Sequence, residues 1–322
     1  MNKSKVMFFM VMVASTIFTM SSNNWISMWM GLEMNMMAFM PLILNKKYSK
    51  SSMAAMTYFL VQSVGSLILM FSMLMKMQIS MFNELMTMSL LIKLGSAPFH
   101  MWVPEIMSKL SWESCLILST WQKIAPLSML MNMQNSMLLL TIAIIMSAVM
   151  GALGGINQTS LRKIMGFSSI NHMAWMLMNT TTNSWMMYMT IYSFMMTTIC
   201  YLFKFYNIYF INQMNNMNMS TTEKLCISTT MLSMGGLPPF LGFLPKWMVI
   251  QNMINENNFL VMTILIMMSL ITLMYYMRVM VKMMMMSSSV QKWVTLKSKT
   301  KLNLAIIMMN SSLPLLVIIN FK

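Results

Sequence analysis

Leu90-Leu91-Ile92-Lys93-Leu94-Gly95-Ser96-Ala97-Pro98-Phe99-His100-Met101-Trp102-Val103-Pro104-Glu105 is the stretch whose reading decides the fold. It is apolar enough to enter a bilayer, yet Lys93 lies inside it, and Gly95 and Pro98 should interrupt the helix there. A charged group at the bilayer centre costs roughly 2.5–3.5 kcal/mol on insertion scales. A lysine kept at that cost beside a broken helix, whose open backbone dipoles face the site, points to an ion or proton path.

A second stretch repeats the theme: Gly235-Gly236-Leu237-Pro238-Pro239-Phe240-Leu241-Gly242-Phe243-Leu244-Pro245-Lys246-Trp247. Pro98 to Pro104 and Pro239 to Pro245 both read P-F-x-x-aromatic-x-P. Paired interrupted helices in two halves of a chain are a sequence mark of inverted-repeat transporters. The two lysines fall on opposite sides of the shared pattern, so they are not strict equivalents.

The rest of the chain fits this setting. Of 322 residues 58% are hydrophobic and 8% charged, against about 25% charged in a soluble domain. The length suits about eleven spans of about 20 residues. Apolar runs fall at 6–22, 25–44, 53–75, 85–108, 114–133, 137–156, 164–180, 185–210, 225–250, 259–281 and 304–320. They are continuous rather than alternating, which excludes a barrel. The expected fold is all-α and polytopic, about eleven transmembrane helices, two of them discontinuous. The first run follows Lys3 and Lys5 as a signal peptide would, but Ser21-Ser22-Asn23-Asn24-Trp25 offers no clear small-x-small cleavage site, so it reads as a retained span. The chain reads as one domain, 1–322, with a first half-channel region at 25–133, a second at 137–281, a basic loop at 282–303 and a last helix at 304–320.

Charge supports the count. With the N-terminus on side A, that side receives Lys3, Lys5, Lys46, Lys47, Lys50, Lys109, Arg162, Lys163, Lys224, Lys282, Lys292, Lys297, Lys299 and Lys301, with Lys204 and Arg278 at its edge. Side B receives only Lys76 and Lys322. The positive-inside rule makes side A the compartment of synthesis and puts the termini on opposite sides. The net charge of +15 therefore lies in loops between spans, which argues against nucleic acid as a partner.

Three lysines and one glutamate sit inside stretches that read as spans: Glu33, Lys93, Lys123 and Lys246. Glu33 needs a basic partner to stay charged; the bland alternative is a neutral side chain bonded to a neighbouring helix. Lys123 is too central in 114–133 to snorkel easily, whereas Lys246, near the end of 225–250, is well placed to do so. His100, beside Lys93, can exchange protons near neutral pH, although a lone histidine in an apolar run is more often a packed one. His172, in the polar patch that begins Asn157-Gln158-Thr159-Ser160-Leu161-Arg162-Lys163, either extends a proton path or packs helices.

These motifs have a resemblance. Trp29-Met30-Gly31-Leu32-Glu33-Met34-Asn35, Lys93 to Glu105, Trp121-Gln122-Lys123-Ile124-Ala125-Pro126, Asn157 to Lys163 and Gly235 to Lys246 resemble, in order, the subunit 2 family of mitochondrial NADH:ubiquinone oxidoreductase (respiratory complex I), of the animal, mitochondrially encoded type. The last seventy or so residues match it only in hydropathy. The resemblance implies an antiporter-like subunit of the membrane arm in the mitochondrial inner membrane, with the N-terminus in the matrix and the C-terminus in the intermembrane space. It implies that Glu33 and Lys93 form the charged pair of the first half-channel, that Lys123 is the connecting lysine, and that Lys246 serves the second. It implies neighbouring antiporter-like subunits and phospholipids as partners and no cofactor in this chain; NADH, FMN, iron–sulfur clusters and ubiquinone belong to partner subunits. From the residues alone, a stand-alone cation/proton antiporter and a structural membrane scaffold remain open.

No G-x-G-x-x-G or G-x-x-x-x-G-K-[ST] occurs, so dinucleotide and ATP sites are not expected. Cys115, Cys200 and Cys226 lie in apolar runs without C-x-x-C spacing and read as buried hydrophobes. Methionine is abundant, with 56 copies. Thioether copper binding is one explanation. A translation table that reads an Ile codon as Met, as in animal mitochondria, explains it better, since Met stands where Ile or Leu would. Metal analysis of the purified protein should find no stoichiometric copper.

Overall fold

The computed structural model describes residues 3–44, 50–75, 82–133, 137–181, 184–216, 219–285 and 300–312. Lys46, Lys47, Lys76, Lys292, Lys297, Lys299 and Lys322, most of the basic loop and the end of the last apolar run lie outside the described residues. Among the described residues the chain forms fourteen α-helices and falls into two compact units, Met1–Ser147 and Ala148–Lys322.

The first unit holds α1 (Lys3–Ser21), α2 (Trp25–Ile43), α3 (Lys50–Met75), α4 (Phe82–Leu94), α5 (Trp102–Lys109), α6 (Trp112–Ser119), α7 (Trp121–Met131) and the first part of α8 (Met137–Gly155). Here α2 packs on α1 and α3, α3 on α4 and α5, and α7 on α1, α2, α4 and α6. The second unit holds the rest of α8, then α9 (Leu161–Met178), α10 (Trp185–Phe205), α11 (Thr221–Gly235), α12 (Phe243–Asn255), α13 (Phe259–Met285) and α14 (Thr300–Asn310). In it α9 packs on α10, α12 and α13, and α11 on α10, α13 and α14.

Among the described residues six helices (α1, α2, α3, α8, α10 and α13) are individually long and apolar enough to cross a membrane. Their outer faces are apolar, as lipid requires: Met7, Leu67 and Leu138 are each more than 65% exposed. Serines and threonines inside these helices turn their hydroxyls back on the carbonyl three residues earlier, as Ser15 does to Met12, Thr19 to Thr16 and Ser72 to Leu69. That local bond makes a hydroxyl tolerable where no water competes.

Three apolar runs depart from single straight helices. The run at 85–108 stops at Leu94, where Gly95 adopts φ +69°. Gly95 and Ser96 donate their N–H groups to the Leu91 carbonyl at 3.0 and 3.2 Å, closing a Schellman cap. The helix resumes at Trp102. The run at 225–250 repeats this: Gly236 has φ +77°, Gly236 and Leu237 donate to the Leu232 carbonyl at 3.1 and 3.5 Å, and the helix resumes at Phe243. The start of α11 is fixed by a capping box, in which the Ser220 N–H donates to Glu223 Oε2 at 2.8 Å. The run at 114–133, expected to be uniform, divides at Thr120 into α6 and α7. Pro126 is not the point of division: α7 runs through it.

A Cβ at Gly95 would collide with the Val103 side chain and come within 2.9 Å of the Trp102 ring, whereas one at Gly235 meets only Leu273 and Tyr276 at 3.4 Å or more. Gly95→Ala should therefore cost about 1–3 kcal/mol and lower the midpoint of thermal denaturation in detergent, while Gly235→Ala leaves it near wild type.

Candidate functional site

Lys93 sits in the last turn of α4, just before its Gly95 stop. Ammonium groups are favoured at this end of a helix, where unpaired carbonyls carry partial negative charge. The break leaves the Lys93 carbonyl outside the helical ladder, and Gln62 Nε2 of α3 donates to it at 3.0 Å. Gly65, on the same helix, leaves room for the lysine stem: a Cβ there would stand 3.1 Å from Lys93 Cγ.

Glu33 of α2 faces Lys93 with Oε1 3.9 Å from Nζ. This is an ion pair, but it is too long for a hydrogen bond. Only 2% of the Lys93 side chain is exposed, against 22% for Glu33. The Glu33 Oε1 that faces Lys93 is itself buried.

Lys123 lies on the first turn of α7, immediately after the Thr120 irregularity, and is buried. Lys93 and Lys123 line one cavity together with Asn35, Tyr58, Gln62 and Gln122. Its volume of about 20 Å³ is enough for one ordered water. A chain of amide and hydroxyl groups borders it: Tyr58 Oη donates to Gln122 Oε1 at 3.1 Å, and Gln122 Nε2 donates to Asn35 Oδ1 at 3.1 Å. Those bonds tie α2, α3 and α7 around the two lysines. His100 lies in the linker after α4, buried, with Nδ1 3.3 Å from the Pro98 carbonyl oxygen. It is not among the residues that line the cavity.

In the second unit Lys246 reaches back across the break it follows. Its Nζ donates to the carbonyl of Gly235, the last residue of α11, at 2.8 Å. The same ammonium stands 5.8 Å from the centre of the Trp175 ring. Lys246 is buried, which removes the snorkelling alternative within this fold. His172 is also buried, one turn before Trp175 on α9, with Nδ1 2.8 Å from Tyr188 Oη. The two breaks align residue for residue: Gly95 matches Gly236 and the helix restarts at Trp102 and Phe243 match, so Glu105 occupies the register of Lys246. Glu105 is instead 60% exposed and pairs with Lys109 at 2.7 Å on the surface.

Comparison with known proteins gives the family and the fold. The family described as NADH:quinone oxidoreductase/Mrp antiporter, TM, matches residues 22–88 and 73–272. The NADH-ubiquinone oxidoreductase chain 2 of Anopheles gambiae is 44% identical over 303 residues, 90% of this chain and 89% of that one. The corresponding chain of Locusta migratoria is 38% identical over 333 residues, 99% and 97% of the two chains. This chain belongs to the NADH-ubiquinone oxidoreductase chain 2 family. A chain from the structure of respiratory complex I from Thermus thermophilus with bound aureothin shares the fold, with a TM-score of 0.81 over 95% of this chain and 76% of that chain at 17% identity.

Asn35, Tyr58, Gln62 and Gln122 join the site through the fold alone; the one signal for them in the sequence is that a polar side chain inside an apolar span expects a partner. Gln122→Leu would strip Tyr58 and Asn35 of their partner in a buried site and should cost about 1–3 kcal/mol. Thermal denaturation of the purified assembly would register it as a clear drop in midpoint.

Proposed function

We propose that this chain carries protons through buried lysines as an antiporter-like subunit of the membrane arm of proton-pumping NADH:ubiquinone oxidoreductase, with Lys93 and Lys123 serving one unit and Lys246 the other. Membership of the chain 2 family supports the assembly. The single observation that carries the mechanism is the shared cavity: Lys93 and Lys123 line it, and Glu33 stands 3.9 Å from Lys93.

The chemistry follows from burial. A desolvated ammonium tends to give up its proton, and an adjacent carboxylate opposes that loss. With Glu33 close, Lys93 keeps its proton. When Glu33 withdraws, Lys93 hands the proton through the cavity to Lys123. Moving one charge against about 100 mV costs about 2.3 kcal/mol, a scale that making and breaking one enclosed ion pair can reach. His100, bonded to the Pro98 carbonyl and away from the cavity lining, takes a lesser part than the lysines.

In this reading the chain crosses the membrane eleven times: α4 with α5, α6 with α7, and α11 with α12 each make one crossing, and the other eight helices one each. Two of these, α4/α5 and α11/α12, are the discontinuous helices of the half-channels. The chain is then one antiporter-like domain of the mitochondrial inner membrane, with its N-terminus in the matrix and C-terminus in the intermembrane space. Neighbouring antiporter-like subunits and phospholipids surround it, and nucleic acid plays no part. No cofactor is assigned to this chain; NADH, FMN, iron–sulfur clusters and ubiquinone are assigned to partner subunits.

Lys93→Met should leave the complex largely assembled and abolish pumping through this subunit. The measurement is the proton-to-electron ratio in sealed vesicles, and a wild-type ratio would contradict the proposal. Lys123→Met should do the same, whereas a structural scaffold would pump normally with that change.

A further inference from the structure

We propose that Trp175 is the positioning residue of Lys246: the face of its indole ring is the fixed, uncharged counterpart of the buried ammonium, the part that Glu33 plays for Lys93. This rests on the reading of Lys246 as a proton-transfer lysine. The ammonium stands 5.8 Å from the centre of the ring, within the roughly 6 Å over which a ring face attracts a cation.

Three features make the seat. The carbonyl of Gly235, at the end of α11, accepts one N–H of Lys246 at 2.8 Å. Gly236, with φ +77°, leaves room for the side chain: a Cβ there would stand 2.8 Å from Nζ and 2.9 Å from Cδ and Cε. The ring of Trp175 comes from α9, which packs on α12. An ammonium has three N–H donors and no acceptor, so one carbonyl does not satisfy it. Among the described residues no carboxylate forms an ion pair with Lys246. The negative face of the ring supplies what the carbonyl leaves over.

Two blander roles for a tryptophan do not fit this one. Tryptophans often anchor a span at headgroup depth. Trp175 is instead 1% exposed, on a stretch of α9 buried at every residue from Ser168 to Met178. As plain filler, phenylalanine would avoid a penalty. The Trp175 indole N–H is buried and meets no acceptor among the described residues, and a buried donor left unpaired is destabilising. What tryptophan offers over phenylalanine is the stronger ring face for a cation.

The ring differs from a carboxylate in what it does to the lysine. It attracts the ammonium and not the neutral amine, so it holds the charged side chain in place and lets the neutral one move. It carries no proton of its own, and two torsions fix it inside a packed helix. Lys246 therefore returns to the same position against Gly235 each time it is charged.

The test uses the assembled complex carrying Trp175→Phe or Trp175→Leu, each with and without Lys246→Met. The proton-to-electron ratio and NADH oxidation are measured in sealed vesicles, and the thermal midpoint on the same preparations. Trp175→Leu should slow pumping-coupled turnover by about twofold to thirtyfold, the span of ring–cation contacts. Trp175→Phe, which keeps a ring face, should recover most of that loss. With Lys246→Met in place, the cost of either change at 175 to the midpoint should shrink, because the cation it served is gone. That cycle reads the contact from Trp175→Phe alone even where Trp175→Leu does not assemble. Equal pumping in the two Trp175 variants, together with midpoint costs that Lys246→Met leaves unchanged, would overturn the role of the ring and leave the lysine reading standing. Normal pumping in Lys246→Met would overturn the lysine reading itself, and the role of Trp175 in proton transfer with it.

Discussion

The fold depends on one constraint: an ammonium group kept out of water must find negative charge that does not cost the membrane dearly. For Lys93 and Lys246 the chain meets it at the carbonyl ends of helices, whereas Lys123 lies on the first turn of α7. Lys93 lies in the last turn of α4, and Lys246 donates to the final residue of α11 at 2.8 Å. Helix C-termini carry partial negative charge and unpaired carbonyls, so each break that exposes backbone also provides a place for a lysine. Removing the break would remove the seat for the charge. Removing the charge would leave the break without its partner.

The two units solve this with different chemistry. In the first, the lysine precedes its break and a separate helix brings Glu33 to 3.9 Å. In the second, the lysine follows the break and folds back over Gly236, so closely that a Cβ there would stand 2.8 Å from Nζ. A carboxylate partner can withdraw and change the charge balance of its lysine, whereas a backbone carbonyl is fixed.

Much of this was legible in the sequence, and the exceptions have physical causes. Gly95 and Gly236 mark the helix stops because only glycine enters the left-handed region freely there. The buried lysines stand out because charge is rare in apolar runs. The division of α6 from α7 at Thr120 leaves no mark in hydropathy, which shows one continuous run at 114–133. The amide chain through Asn35, Tyr58 and Gln122 joins residues 64 and 87 positions apart, and no local pattern encodes such pairing. The bond from Lys246 to Gly235 needs the chain to turn back on itself over eleven residues, which spacing does not reveal.

The most direct measurement is a water-resolving electron cryo-microscopy map of the assembled complex. The account predicts ordered water in the cavity that Lys93 and Lys123 line, with the Lys246 ammonium held inside the protein against Gly235. Ammonium groups turned outward to phospholipid headgroups, with a dry space between Lys93 and Lys123, would contradict it.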